Sequence, residues 1–175
     1  MQGLHEAQVL SIVHGPTGSG GSPFDDLSAV PGGRTIEYIH RITGSSGLFW
    51  NTHALSLQFF YILDNGSEWT PGPRGDPANL QHAQLFDLTF HPTDDIASAT
   101  VWNAYSHEIG RIVSGIEFHY TNKTRPGFKG KTVVGTVSPE FAANIVLPGR
   151  VVCSKGRAGM VLDGLQFYHL AGNCV

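Results

Sequence analysis

The sequence predicts an all-β fold, and three observations carry that prediction. Twenty-two glycines and ten prolines in 175 residues break the chain at short intervals. Charged residues make up only 14% and aromatic residues 10%, a balance that suits turns and short extended segments better than long helices. Runs alternating between two faces with a period of two residues recur from one end of the chain to the other. The length fits one domain, residues 1–175, with enough chain to bury a core.

Taken in order, Val9 to Val13 is a short apolar run, and a glycine-rich loop separates it from Thr35 to Ile42. In that second segment Ile36, Tyr38, His40 and Ile42 oppose Glu37, Ile39 and Arg41. Ala54 to Leu63 is long, apolar and aromatic. It stops at Asp64-Asn65-Gly66-Ser67, where Asn-Gly is the strongest short turn signal in the chain and predicts a hairpin into Ser67 to Thr70. Pro71 to Pro77 holds too many breakers to be anything but a loop, though not a linker. Gln84 to Phe90 alternates again and ends at Pro92-Thr93-Asp94-Asp95. Ala97 to Tyr105 and Arg111 to Tyr120 read as two strands joined by Ser106-His107-Glu108-Ile109-Gly110. Lys131 to Val137, Ile145 to Cys153 and Val161 to Leu170 bring the count to ten to twelve, with Pro148 predicting an edge position or a bulge in its strand. On pattern alone this suits a sandwich or a barrel.

Composition also limits the function. A net charge of −3 and a pI near 6.3 give no electrostatic basis for a nucleic-acid partner or an anionic membrane surface. No apolar run approaches the roughly 18 residues that span a bilayer, so membrane insertion is not expected. Met1 to Ala7 shows neither the basic nor the apolar region of a secretory signal, which predicts a cytoplasmic protein. Cys153 and Cys174 match no zinc spacing and are expected as reduced thiols. Asn65-Gly66-Ser67 and Asn122-Lys123-Thr124 match the glycosylation sequon but are expected as turn residues.

The nine histidines show no metal-ligand spacing, and there is no Gly-x-Ser-x-Gly elbow, so neither a metal, a cofactor nor an activated nucleophile is expected. Asp25-Asp26 and Asp94-Asp95 cannot flank a glycosidic bond, because neighbours on a strand face opposite ways, and both pairs are expected as turn and cap residues. Trp50, Trp69 and Trp102 could stack on sugars but are expected in the core.

Two stretches at opposite ends carry the functional signal. Gly159-Met160-Val161-Leu162-Asp163 can aim consecutive backbone N–H groups and one carboxylate at a single point, which suits a ligand with several adjacent hydroxyls. Gly15 to Asp25, with Gly18, Gly20 and Gly21, lets a second backbone segment reach that point without a side chain in the way. Together they resemble the jacalin-related lectins, in which a glycine-rich N-terminal loop and a Gly-x-x-x-Asp loop hold one sugar ring. The likeness extends to Phe24-Asp25-Asp26, Thr35 to Ile42, Ile116 to Asn122 and Leu162 to Tyr168, in the family's order. Departures are the long connections Leu63 to Asn79 and Lys123 to Gly135, and Cys153-Ser154-Lys155 ahead of the second loop.

The resemblance implies the β-prism I fold, three four-stranded antiparallel sheets around a pseudo-threefold axis. It also implies a non-catalytic lectin whose sugar-binding residues are Gly20, Gly21, Gly159, Met160, Val161, Leu162 and Asp163, with His107 or Glu108 on a bordering recognition loop. Gly21, Met160 and Val161 would donate backbone N–H groups, and Asp163 would accept two hydroxyl hydrogen bonds. In the galactose-binding branch the first two variable positions of the Gly-x-x-x-Asp loop tend to be aromatic and the glycine loop is cut. Here they are Met160 and Val161 and the loop is continuous, which implies mannose- or glucose-containing glycans as partners. Weak single sites imply a homo-oligomer, expected as a dimer. Two other readings stay open: a β-prism interaction or toxin-targeting module whose sugar site has decayed, and a carbohydrate-active enzyme using Asp163 with Glu108.

Overall fold

The computed structural model describes residues 9–11, 20–145 and 150–170. Strands β1 (Val9–Ser11) and β2 (Ser22–Asp25) lead into a single helical turn, α1 (Asp26–Ala29). Then come β3 (Ile36–Phe49), β4 (Thr52–Leu63), β5 (Glu68–Trp69), β6 (Pro73–Arg74), a 3-10 turn (Pro77–Asn79) and β7 (Gln81–Thr89). The chain continues through β8 (Asp94–Ser106), β9 (Gly110–Asn122), β10 (Lys129–Gly135), β11 (Ala142–Ile145), β12 (Arg150–Ala158) and β13 (Leu162–Leu170).

These strands form three antiparallel sheets, ordered β1-β13-β12-β2, β10-β9-β8-β11 and β5-β4-β3-β7. Each has a long hairpin at its centre, β12–β13, β8–β9 or β3–β4, flanked on both sides by shorter strands. That is the Greek-key order repeated three times. In the first sheet the flanking strands come from the N-terminus, so the opening of the chain completes a sheet begun at its end.

The third sheet departs from four strands. Both β5 and β6 pair along β4, Tyr61 opposite Trp69 and Leu57 opposite Arg74. Thr70-Pro71-Gly72 lies between them, and since proline cannot donate to a ladder and Gly72 turns the chain at φ +100°, the edge strand is broken into two short pieces. A second correction concerns Ile145 to Cys153, which is two strands and not one. β11 pairs with β8 in the second sheet, whereas β12 pairs with β13 and β2 in the first. Pro148, together with the rest of residues 146–149, lies outside the described residues, as do residues 12–19 and Cys174.

The sheets close around a core in which each contributes one phenylalanine from the second strand of its central hairpin. Phe59, Phe118 and Phe167 are fully buried, and Phe167 meets the other two edge-on at centroid distances of 6.0 and 5.9 Å. This geometry favours contact between ring edges and faces and joins all three sheets at one point. Around it pack Ile36, Ile42, Leu57, Ile116, Val152 and Leu165, drawn from the inward positions of the alternating segments.

Two expectations for single residues are overturned here. Asp25 does cap α1, its Oδ1 accepting from the N–H groups of Leu27 and Ser28, but Asp26 is not a turn residue: it is completely buried. Trp69 and Trp102 are half-buried, whereas Trp50 stands 67% exposed at the β3–β4 turn.

Replacing Phe167 by alanine should cost about 3–5 kcal/mol, because both edge-on contacts and the buried volume are lost together. Urea unfolding followed by circular dichroism measures this, and Phe167→Leu should recover much of the loss.

Candidate functional site

The β12–β13 hairpin turns at Gly159-Met160-Val161, with Ala158 opposite Leu162 and the Gly159 N–H bonded to the Val161 carbonyl at 3.0 Å. Val161 and Leu162 point their side chains inward and are buried. Leu162 joins the main core, which leaves only its backbone for a ligand. Val161 joins a smaller apolar cluster with Ala54, Leu80 and Ile112, against which Phe49 and Ile109 also pack. Apart from Leu80, which follows the 3-10 turn, these residues come from the three central hairpins, so the three turns gather at one end of the molecule. Met160, by contrast, is 62% exposed.

Strand β2 runs antiparallel to β12, with Ser22 opposite Ala158, and so carries Gly20 and Gly21 past the start of the same turn. A Cβ on Gly20 would stand 2.6 Å from Asp163 Oδ1, and one on Gly21 would stand 2.6 Å from Asp163 Oδ2. Any other residue at either position would collide with the carboxylate. Gly21 also has φ +65°, a conformation that L side chains rarely adopt. The two sequence motifs therefore meet at the Asp163 carboxylate, although 142 residues separate Gly21 from Asp163.

Arg157 fixes the glycine loop from behind. Its Nε donates to the Gly20 carbonyl at 3.0 Å and its Nη2 to the Gly21 carbonyl at 2.7 Å. In a planar trans peptide the N–H points opposite to the C=O, so the Gly21 N–H is turned away from Arg157. The same device operates on the other loop. The Met160 carbonyl accepts from the Asp76 N–H at 2.9 Å and from Asn79 Nδ2 at 3.0 Å, which turns the Val161 N–H away from those residues.

Both donors come from the long connection between β4 and β7. Gly75, at φ +80°, lies so close to Val161 that a Cβ there would be 2.9 Å from the Val161 Cα. Next to it, Arg74 forms an ion pair with the buried Asp26 at 2.5 Å and stacks its guanidinium 4.2 Å from the centre of the Phe24 ring. The other carboxylate oxygen of Asp26 accepts from the Tyr61 and Ser154 hydroxyls at 2.6 and 2.8 Å. One buried charge thus ties β6 to α1, β4 and β12.

Asp163 itself is half-buried. Burial pushes its pKa above the ordinary 3.8, and the Gly159 N–H and the Arg157 charge offset only part of that rise. His107 and Glu108 sit exposed at the tip of the β8–β9 hairpin, the same end of the molecule. His107 packs edge-on against Tyr105, and the residue of that turn which touches the Val161 cluster is Ile109.

Sequence reasoning had not singled out Arg157, Arg74, Gly75, Asp76 or Asn79. The one available signal was local: Asp76-Pro77 is a helix-capping pair, and Asp76 Oδ1 does accept from the Ala78 N–H at 2.9 Å. Among the described residues no cluster of three or more His, Cys, Asp or Glu side chains is placed to hold a metal ion.

The sequence matches no family model and no curated relative. Solved structures do match in fold. A mannose-binding jacalin-related lectin from Ananas comosus superposes with a TM-score of 0.65 at 18% identity, over 93% of this chain and 99% of that one. A mannose-specific jacalin-related lectin from Morus nigra, solved with mannose, gives 0.59 at 18% identity over 92% and 95%. Frutapin, a lectin from Artocarpus incisa, gives 0.64 at 18% identity over 92% and 97%. The chain therefore has the fold of the jacalin-related lectins, the β-prism I.

Arg74→Ala should cost about 3–5 kcal/mol, since it strands the Asp26 carboxylate in the core without its counter-charge. Chemical denaturation measures the loss, and it should exceed that of Arg34→Ala, whose pairing with Asp64 at 3.8 Å is partly exposed.

Proposed function

We propose that this chain is a non-catalytic lectin that binds mannose- or glucose-containing glycans at the junction of Gly20-Gly21 with Gly159 to Asp163. The observation that carries the reading is the Asp163 carboxylate, flanked by two glycines whose side-chain space it occupies, with the Gly21 and Val161 peptide planes each held by their carbonyls. Such a site offers an acceptor pair and preset donors to adjacent hydroxyls, at little cost in ordering on binding. The β-prism fold and the mannose ligands named for its structural neighbours support the same sugar class.

The residues of this junction include one carboxylate, Asp163, where hydrolysis needs a pair, which favours binding over catalysis. Glu108 is placed on a neighbouring turn, and no contact joins it to Asp163 among the described residues. The specificity reading rests on Met160 and Val161: the first is exposed, the second is buried, and neither presents an aromatic face to a sugar. Weak single sites would gain useful avidity from a second copy, so the reading includes a dimer, to be checked by light scattering.

A glycan array followed by calorimetry tests this reading. Mannose should bind more tightly than galactose, and an array without hits would favour an interaction module instead. Asp163→Ala should weaken mannose binding at least about tenfold, because a charge-assisted hydrogen bond contributes roughly 1.5–3 kcal/mol and about 1.4 kcal/mol corresponds to that factor. A folded Asp163→Ala protein that binds mannose like the parent would overturn the assignment.

The pH dependence follows from the raised pKa of Asp163. In the free protein its neutral form is favoured by burial, while sugar hydroxyls need the charged form as acceptor. Binding should therefore release a proton and weaken as pH falls through a value above 3.8. Stability without ligand runs the other way: the contribution of Asp163 is present at low pH and is lost as pH rises through the raised value. Calorimetry between pH 3.5 and 7 reads the first effect, and Asp163→Asn should remove it.

A further inference from the structure

An aromatic residue, Trp50, stands at the same end of the molecule as the proposed site and has no part in it. Phe49 pairs with Thr52 across the β3–β4 hairpin, leaving Trp50 and Asn51 as a two-residue turn, both with positive φ, +46° and +57°. Two-residue turns of this hand favour Asn, Asp or Gly. Asn51 fits that preference, but a tryptophan is a poor choice: it is bulky in a conformation that penalises a Cβ, and two-thirds of it stays exposed. Fold stability therefore does not account for Trp50, and strain of this kind is a pointer to function.

The surroundings say what kind of function. Trp50 borders a hollow of about 310 Å³ whose other walls are Phe49, Asn51, Asn79 and Gln81. An indole beside three side-chain amides matches a pyranose ring, which has an apolar C–H face and a rim of hydroxyls that both donate and accept. Asn79 is shared with the proposed site, since its Nδ2 holds the Met160 carbonyl. Among the described residues its amide oxygen accepts no hydrogen bond and so faces the hollow as an acceptor. One side chain therefore separates this hollow from the turn that carries Met160 and Val161.

We infer that Trp50, Asn51, Asn79 and Gln81 form a subsite for a further sugar residue of an oligosaccharide whose terminal ring sits at Asp163. The inference rests on the lectin reading and deepens it: the ligand class becomes a branched or linear mannose oligosaccharide. The glycan would cross over the Met160–Asn79 contact and stack one ring on Trp50. A protein partner seated on Trp50 is the competing outcome. The amide-lined hollow and its continuity with the Met160 turn favour the sugar.

Calorimetry on the full chain with methyl α-mannoside and with a mannose trisaccharide provides the test. The parent protein should bind the trisaccharide about tenfold more tightly or better, and in Trp50→Ala, folded by circular dichroism, that advantage should fall below about threefold. Trp50→Tyr should keep most of it, because a flat aromatic face remains. A Trp50→Ala protein that retains the full advantage overturns the inference while leaving the Asp163 site standing. So does a parent protein with no preference for the trisaccharide. A Trp50→Ala effect seen only as lost self-association would assign Trp50 to a protein contact and overturn it too. Failure of the parent to bind either sugar would overturn the lectin reading together with this one.

Discussion

The buried carboxylate of Asp26 is the constraint from which the arrangement around the site follows. A charge removed from water must be paired and hydrogen-bonded, and here Arg74, Tyr61 and Ser154 meet that demand from three different strands. Meeting it determines where the β4–β7 connection can run. With Arg74 held against Asp26 and Phe24, the next residue, Gly75, is pressed against Val161, and Asp76 and Asn79 are brought to the Met160 carbonyl. The β4–β7 connection is therefore not slack chain. It is the support behind the second ligand loop.

Topology accounts for the other half of the site. Because the first sheet is built on the β12–β13 hairpin and completed by β1 and β2, the approach to β2 must pass the β12–β13 turn. The glycine loop and the Gly-x-x-x-Asp loop meet for the same reason that the sheet closes. The other two hairpin turns reach the same end and send Phe49 and Ile109 into the apolar cluster beneath Val161. That shared cluster gives the turn a rigid floor, since a turn anchored by a buried β-branched side chain has few ways to move.

Much of this fold was legible in the sequence, and the failures have physical causes. Asn65-Gly66 marked its turn correctly, with the Gly66 N–H bonded to the Leu63 carbonyl, because Asn-Gly conformations are set locally. The alternating segments each became strands, though β3 extends through Gly44-Ser45-Ser46-Gly47 to Phe49, where no alternation announces it. Pairing on both sides, with β4 and β7, keeps that stretch extended. The passage from β11 to β12 was hidden because an apolar run does not say which sheet it joins. Asp26 was misjudged for a related reason: next to the capping Asp25 it looks like a second cap, and only Arg74, 48 residues away, reveals it as a core charge. Trp50 was assigned to the core because burial is the rule for tryptophan, a rule that fails where a hairpin ends in solvent.

The legibility of the site itself had a sharper limit. The motif Gly159 to Asp163 names one side chain with direct chemistry, Asp163, and for the rest depends on backbone groups that every sequence possesses. What distinguishes them is orientation, and orientation is set by whatever holds the opposite end of each peptide plane: Arg157 for Gly21, and Asp76 with Asn79 for Val161. Those residues touch the carbonyl, not the ligand side, so their identity is free to change as long as a donor reaches the same oxygen. A backbone site of this kind can keep its geometry while the residues behind it are replaced. The information that makes Gly-x-x-x-Asp more than a turn is therefore carried in segments far from the motif and becomes readable only once the chain is folded.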